Sequence, residues 1–228
     1  MLILAVDTTT PSGSVALLEG DALLGEANVE SAATHSARLL RSIDFLLGAL
    51  GRDIREVEAF AVAAGPGSFT GIRIGVGAVK SLAFASGKPV AAVSTLLALA
   101  LKLSADGARL VCPLLDAKKE EVYAALFESR KSGLEELIPQ AAYAPDAFFA
   151  RLPSRRVIAF AGSGLAAYRG RLLPYVRDRA RFPCRTSFIA AEVGRIGCRL
   201  IREGKGVDAG ALEPLYFRRS QAEERWRP

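Results

Sequence analysis

Apolar runs at the start of the chain are short and divided by turn residues. Leu2–Val6 is the first run, Ser14–Leu18 the second and Ala22–Val29 the third. The clusters Thr8-Thr9-Thr10-Pro11-Ser12-Gly13 and Gly20-Asp21 separate them, which predicts three antiparallel strands. The period then lengthens. Leu39, Leu40, Ile43, Leu46, Leu47 and Leu50 recur at helical spacing within Thr34–Leu50, predicting one buried face, and Gly51 is placed to end that helix. Asp53 followed by Glu56 reads as a capping box for a short helix. Ala59–Ala64 is a strand of small residues, broken by Gly65-Pro66-Gly67-Ser68. A helix follows over Phe69–Ser86 up to Gly87, then a strand over Lys88–Val93 and an apolar helix over Thr95–Leu103.

The second half repeats this logic. Leu110–Leu115 predicts a buried strand ending at Asp116, Glu121–Phe127 its hairpin partner, and Ser129–Gly133 a polar turn. Pro145–Leu152 is a short helix. Val157–Ala161 is a strand running into Gly162-Ser163-Gly164 and a further helix. Ser187–Glu203 is amphipathic, with Ile189, Val193, Ile196, Leu200 and Ile201 inward and Arg195, Arg199 and Arg202 outward. Gly204–Gly210 is a loop, Leu215-Tyr216-Phe217 a last extended piece, and Ser220–Pro228 a polar tail. Each half thus has a strand ending in Asp (Asp7, Asp116), a turn, further strands and strand–helix units. The pattern predicts an α/β protein of two similar lobes with a boundary near Leu103–Ala108: residues 1–103 as an N-terminal lobe and 104–228 as a C-terminal one, whose last segment packs back on the first.

Half of the 228 residues are apolar and 24% are charged, the balance of a globular chain. The net charge of +6 is unevenly placed. Residues 1–150 carry 13 basic and 17 acidic side chains, a net of −4, and residues 151–228 carry 17 and 7, a net of +10. That split is either a solvated Arg-rich surface or an approach for an anionic partner such as nucleic acid or an acidic protein surface. The cysteines Cys112, Cys184 and Cys198 are odd in number and lack CxxC spacing, so neither a disulfide framework nor a zinc site is expected. The opening Met-Leu-Ile-Leu-Ala-Val-Asp has no basic segment and does not read as a signal peptide. The longest nearly uncharged apolar stretch, Pro89–Leu101, falls short of the ~20 residues that span a bilayer. A cytoplasmic protein is expected.

Candidate chemistry is sparse. An Asp at a buried strand end followed by hydroxyl residues and Gly can hold Mg²⁺ and cradle phosphates, which marks Asp7, Thr8, Thr9 and Ser12; the same residues can equally cap a β-turn. The second lobe has Asp116, but Ala117-Lys118-Lys119-Glu120-Glu121 supplies no glycine for close backbone approach, so a second phosphate device reads as degenerate. Gly162 and Gly164 lie where a phosphate meets a helix N-terminus, or where a strand simply turns tightly into a helix. The segment Gly65–Gly77 lacks the Gly-Lys-Ser/Thr ending of a P-loop. It places Gly71, Gly75 and Gly77 inside a helix at about 1 kcal/mol each relative to Ala, a cost some close packing must offset. Gly71 and Gly75 form a flat groove for either the protein's own sheet or another chain. The one histidine, His35, sits at a helix start beside Thr34 and Ser36, and no HExxH occurs, so nucleophilic and His-rich metal catalysis have little support.

Taken together, LILAVDTTTPSGSVALL (2–18), Thr34–Leu40, AAGPGSFTGIRIGVG (63–77), VSTL (93–96), LDAKKEEVY (115–123) and EPLYFR (213–218) resemble the TsaB, or YeaZ, family from end to end. The resemblance implies the two-lobed fold of the actin, Hsp70 and sugar-kinase superfamily, each lobe a mixed sheet flanked by helices. It implies a non-catalytic scaffold and activator in bacterial synthesis of threonylcarbamoyladenosine (t6A), the tRNA modification beside the anticodon. The partners implied are a TsaD-like catalytic subunit, a TsaE-like ATPase and tRNA as substrate of the complex, with a homodimer when the chain is alone. By family match the interface lies among His35, Leu39, Ile43, Leu46, Gly71, Ile72, Arg73, Gly75, Val76 and Lys80. Asp7, Thr9, Ser12, Asp116, Gly162 and Gly164 become a vestigial nucleotide cleft, with no metal and no catalytic residue. No resident cofactor is implied, ATP or ADP binding being at most weak or partner-dependent. The family usually has Gly where Glu120 stands, a departure that further weakens nucleotide binding. The alternative is an independent Mg-dependent ATPase or kinase of the same superfamily. A peptidase, the family's older label, is disfavoured by the missing metal ligands.

Overall fold

The computed structural model of the chain describes residues 1–30, 35–105, 107–184 and 186–217. The expected helix start at Thr34, the side chain of His35 and the tail Ser220–Pro228 lie outside them. Two compact units emerge among the described residues, one of residues 1–98 and 188–216, the other of 99–187 with Phe217.

The first unit contains β1 (Leu2–Asp7), β2 (Ser12–Glu19), β3 (Ala22–Glu30), α1 (His35–Ala49), β4 (Ala59–Gly65), α2 (Phe69–Ser86), β5 (Val90–Ser94) and the start of α3 (Thr95–Ser104). Its sheet has the order β3-β2-β1-β4-β5, antiparallel across β3-β2-β1 and parallel across β1-β4-β5. Gly51 and Gly87, with φ of 62° and 65°, end α1 and α2 in the left-handed conformation that only glycine adopts without strain. The Asp53 capping box forms, Arg55 N–H donating to Asp53 Oδ1 and Asp53 N–H to Glu56 Oε1 at 2.8 Å each.

Alternation along the strands sorts large from small residues. Leu2, Leu4, Val6, Leu17, Phe60 and Val62 pack with Leu39, Ile43, Leu46 and Leu47 of α1 and Ile72, Val76 and Val79 of α2 in one core. Full burial of side chains of this size is worth about 1.5–3 kcal/mol each. Leu40, expected on that inward face, is instead 57% exposed, because the buried stripe runs 39-43-46-47 and position 40 lies beyond its edge. The opposite sheet face carries a row of alanines in register, Ala16, Ala5, Ala61 and Ala91, one on each of four neighbouring strands. On it lies α6 (Ala190–Arg202). A Cβ at Gly194 would meet Leu18 Cδ1 at 2.2 Å, and one at Gly197 would meet Ala61 Cβ at 2.4 Å, so the two glycines set how closely α6 approaches.

The second unit holds β6 (Leu110–Lys118), β7 (Glu121–Arg130), β8 (Gly133–Tyr143), α4 (Pro145–Phe149), β9 (Ile158–Ala161), α5 (Gly164–Val176) and β10 (Ala180–Arg181). Its sheet order β8-β7-β6-β9-β10 repeats the strand order and directions of the first. That duplication is the two-lobed α/β architecture anticipated from the sequence. Cys112, Leu114, Val122, Phe148, Phe160 and Leu172 are among the residues of its core. The pattern gave no sign of β8, where Glu135, Glu136 and Leu137 are exposed and Pro139 interrupts. An edge strand bonded only to β7 tolerates both.

Candidate functional site

Asp7 ends β1 and is fully buried. Its Oδ1 accepts the Thr9 N–H at 2.8 Å and the Thr9 hydroxyl at 2.6 Å, the bond to residue i+2 that defines an Asx turn. Its Oδ2 has no hydrogen-bond partner among the described residues. Burial pushes the carboxyl pKa up to about 6, against the lowering effect of the two Thr9 bonds. A cavity of about 10 Å³, room for one water, is lined by Asp7 with Ser14, Arg38 and Ser42. Ser12 donates weakly to Glu30 Oε1 at 3.5 Å.

The glycines of α2 explain how this turn is held. Thr8 Oγ1 donates to the Gly71 carbonyl at 2.7 Å. A Cβ on Gly71 would sit 2.0 Å from the Thr8 carbonyl oxygen, and one on Gly75 would sit 2.3 Å from Thr8 Oγ1. Gly67 is equally tight against the Thr9 carbonyl at 2.5 Å. The groove at Gly71 and Gly75 is therefore occupied by this chain's own β1–β2 turn. Gly77 faces open space.

Asp116, two residues before the end of β6, makes the same Asx turn, its Oδ1 accepting the Lys118 N–H at 2.8 Å. Here the surroundings differ. The carboxylate is 19% exposed and its Oδ2 accepts from Lys118 Nζ at 2.7 Å. Partial burial opposes the charge, but the Lys118 bonds outweigh it and hold the carboxyl below its ordinary value. Asp116 N–H donates to Ser163 Oγ at 3.3 Å. A Cβ on Gly162 would come within 2.3 Å of the Leu114 carbonyl oxygen, and one on Gly164 within 3.0 Å, so both glycines seat the start of α5 on β6. Lys118, Lys119 and Glu120 all have positive φ, at 60°, 51° and 60°. Neither turn, taken within its own unit, has the build of a phosphate cradle: Asp7 is sealed beside a one-water cavity, and the Asp116 turn presents side chains where glycine would let a phosphate approach. Among the described residues no three His, Cys, Asp or Glu side chains come together as metal ligands.

The helices singled out for a partner are divided between core and surface. Leu39, Ile43, Leu46, Gly71, Ile72, Gly75 and Val76 are buried within the first unit. Arg73 lies 4.0 Å over the Phe69 ring and donates to Tyr216 Oη at 3.3 Å. Lys80 Nζ donates to the carbonyls of Gly210 at 3.0 Å and Leu212 at 3.3 Å. Both cations thus tie the returning segment 209–216 to α2. Outside the core, α1 leaves Leu40 57% and Phe45 71% exposed, and the neighbouring α2 leaves Phe84 81% exposed.

A family model described as TsaD: tRNA N6-adenosine threonylcarbamoyltransferase matches residues 29–192. An Escherichia coli protein named tRNA threonylcarbamoyladenosine biosynthesis protein TsaB is 31% identical over 97% of this chain and 96% of its own. The chain belongs to the TsaB family. The Bacillus subtilis TsaB is 29% identical over 99% of this chain and 98% of its own. A solved structure titled YeaZ from Pseudomonas aeruginosa superposes with a TM-score of 0.81 at 30% identity, covering 94% of this chain and 99% of that one. The sequence features that carry the TsaB resemblance are thus in large part packing devices: the glycines of GPGSFTGIRIG seat α2 on the Asp7 turn. Missed from sequence were Phe45 and Phe84, which a helical wheel places off the buried stripe, and Gly194 and Gly197, whose signal was two glycines in an otherwise amphipathic helix.

Proposed function

We propose that this chain is a non-catalytic scaffold and activator in t6A synthesis. In this reading it binds a TsaD-type catalytic subunit through the α1–α2 face of its first unit, and a TsaE-type ATPase through that subunit. The same face pairs two copies when the chain is alone, and the activity is cytoplasmic, where tRNA is modified. The observation that carries the reading is the exposure of two large aromatic side chains, Phe45 on α1 and Phe84 on the neighbouring α2, together with Leu40, in a TsaB-family chain. Large aromatic side chains kept in water beside a completed core are the composition of an interface centre. The interface residues inferred from the family then fall into two roles. Leu39, Ile43, Leu46, Gly71, Ile72, Gly75 and Val76 fix the helices from beneath, and Arg73 and Lys80 brace α2 against 209–216. The single histidine, His35, gives the chain few of the side chains that a His-rich catalytic metal centre draws on.

Sedimentation velocity and calorimetry with Phe45→Asp and Phe84→Asp test the interface. Both side chains are exposed, so unfolding temperature should stay within a few degrees of wild type. Affinity for the TsaD-type subunit should fall at least tenfold for each, as expected for an aromatic anchor worth about 2 kcal/mol. Unchanged affinity in both variants overturns this placement of the interface.

A further inference from the structure

The second unit carries an arginine-walled pocket that neither the interface nor the Asp turns use. It is a cavity of 740 Å³ lined by Arg109, Arg156 and Arg181 over Val157, Ala159 and Pro183, with no carboxylate among the described residues that line it. Arg109 precedes β6, Arg156 and Val157 precede β9, and Arg181 ends the short β10. Those strands are parallel, so the pocket lies at the N-terminal ends of β6 and β9, with the short β10 beside that end of β9. Asp116 and Gly162 lie at the other end of the same sheet, on the order of 20 Å away along β6.

The guanidiniums are held in place from behind. Glu128, with a side chain only 6% exposed, takes Arg109 Nε at 3.3 Å, Arg130 Nη2 at 2.8 Å and a short contact from Arg156 Nη2. Hydrogen bonds from Arg156 and then Arg130 pull its pKa down to about 2, so it is charged at any physiological pH. Glu135 shares Arg130 at 2.6 Å. Arg181 gives Nη1 to the carbonyls of Asp178 and Ala180 and pairs with no carboxylate among the described residues. Among the described residues, the guanidiniums of Arg109, Arg130, Arg156 and Arg181 against the carboxylates of Glu128 and Glu135 leave two positive charges in excess. An arginine fork already oriented by one carboxylate loses little further freedom on taking a phosphate, and it matches phosphate geometry with two parallel bonds.

We propose that this pocket is a docking site for the phosphodiester backbone of an RNA. A backbone offers one charge per nucleotide, spaced for separate arginines along a wall, and it is read by charge and shape without base contacts. The proposal rests on the reading above for the identity of the RNA, tRNA; the pocket's preference for phosphate stands on its own residues.

The test is binding of a fluorescently labelled tRNA transcript by the full chain together with its TsaD-type subunit, measured across salt. The variant is Arg109→Gln with Arg181→Gln. Arg109 is 77% exposed, and Glu128 keeps Arg130 and Arg156, so the fold is retained and a melting curve checks it. Affinity should fall about tenfold, and the slope of log affinity against log salt should lessen by about 1.5, the change expected when two phosphates are no longer neutralised. The double lysine variant should keep the wild-type slope. Unchanged affinity and slope in the Gln variant overturn the proposal. So does displacement of the tRNA by micromolar ATP, which makes a free nucleotide the ligand, or by polyglutamate at equal charge, which makes it an acidic peptide. Formation of t6A is scored separately. A wild-type chain that does not support it removes the activator reading, while the tRNA-binding difference still decides the pocket.

Discussion

Asp7, at the end of β1, and Asp116, near the end of β6, make matching turns in two copies of one topology, and they are opposite kinds of site. Asp7 and Asp116 each accept the N–H of residue i+2 in an Asx turn. At Asp7 that residue is Thr9, the carboxyl is fully buried and its pKa is raised to about 6; at Asp116 it is Lys118, the carboxylate reaches solvent and its pKa is lowered. What surrounds the turn decides the difference. The glycines of α2 let a helix close over the first turn, whereas the second is a hairpin of Lys119 and Glu120 left open to water. The two turns share one backbone device, and the side chains around them make one a core element and the other a surface ion pair.

The largest effect should come from the glycine seat. Gly71→Ala forces a methyl to within 2.0 Å of a backbone oxygen, which no rotamer change relieves, and should cost about 4 kcal/mol or prevent folding in urea titrations. Gly164→Ala, with its nearest atoms at 3.0 Å in the second unit, should cost far less. Equal costs would remove the asymmetry between the turns. Next is pH. The folded state binds the Asp7 proton more tightly than the unfolded chain, so its contribution to stability is full below about pH 4 and is lost as pH rises through about 6. Asp7→Asn should therefore unfold at higher urea than wild type at pH 8, by up to about 3 kcal/mol, with the gap closing at pH 4. Asp116→Asn should move stability at pH 8 by less than about 1 kcal/mol, and downward, since it removes a surface pair. An unchanged pH profile for Asp7→Asn contradicts the buried-acid assignment. The smallest effect concerns the second turn. Lys119 and Glu120 sit with positive φ at the centre of a two-residue hairpin, where glycine is free of strain, so Glu120→Gly should raise stability by about 1 kcal/mol in thermal unfolding.

Much of this was legible along the chain because strand and helix periods are written in alternation and in three- and four-residue spacing. The three opening strands, both hairpin partners, the capping box and most of the buried stripe of α1 followed from them. Others could not follow. β8 carries the polar face of an edge strand, and β10 has only two residues. The glycines of α2 showed in sequence that something packs closely, but only coordinates could say that Thr8 does, since Thr8 lies 63 residues away from Gly71. The basic surplus of residues 151–228 likewise does not map onto one surface: Arg195 pairs with Glu192 on α6 in the first unit, while Arg156 and Arg181 line a pocket in the second.

Reconstituted t6A formation decides whether the chain is an activator. A TsaD-type subunit, a TsaE-type ATPase, threonylcarbamoyl-adenylate and tRNA are incubated with wild-type chain, with Phe84→Asp, or with neither. An activator gives modification with wild type, at least tenfold slower modification with Phe84→Asp, and almost none when the chain is left out. Modification at the full rate when the chain is omitted would contradict that role.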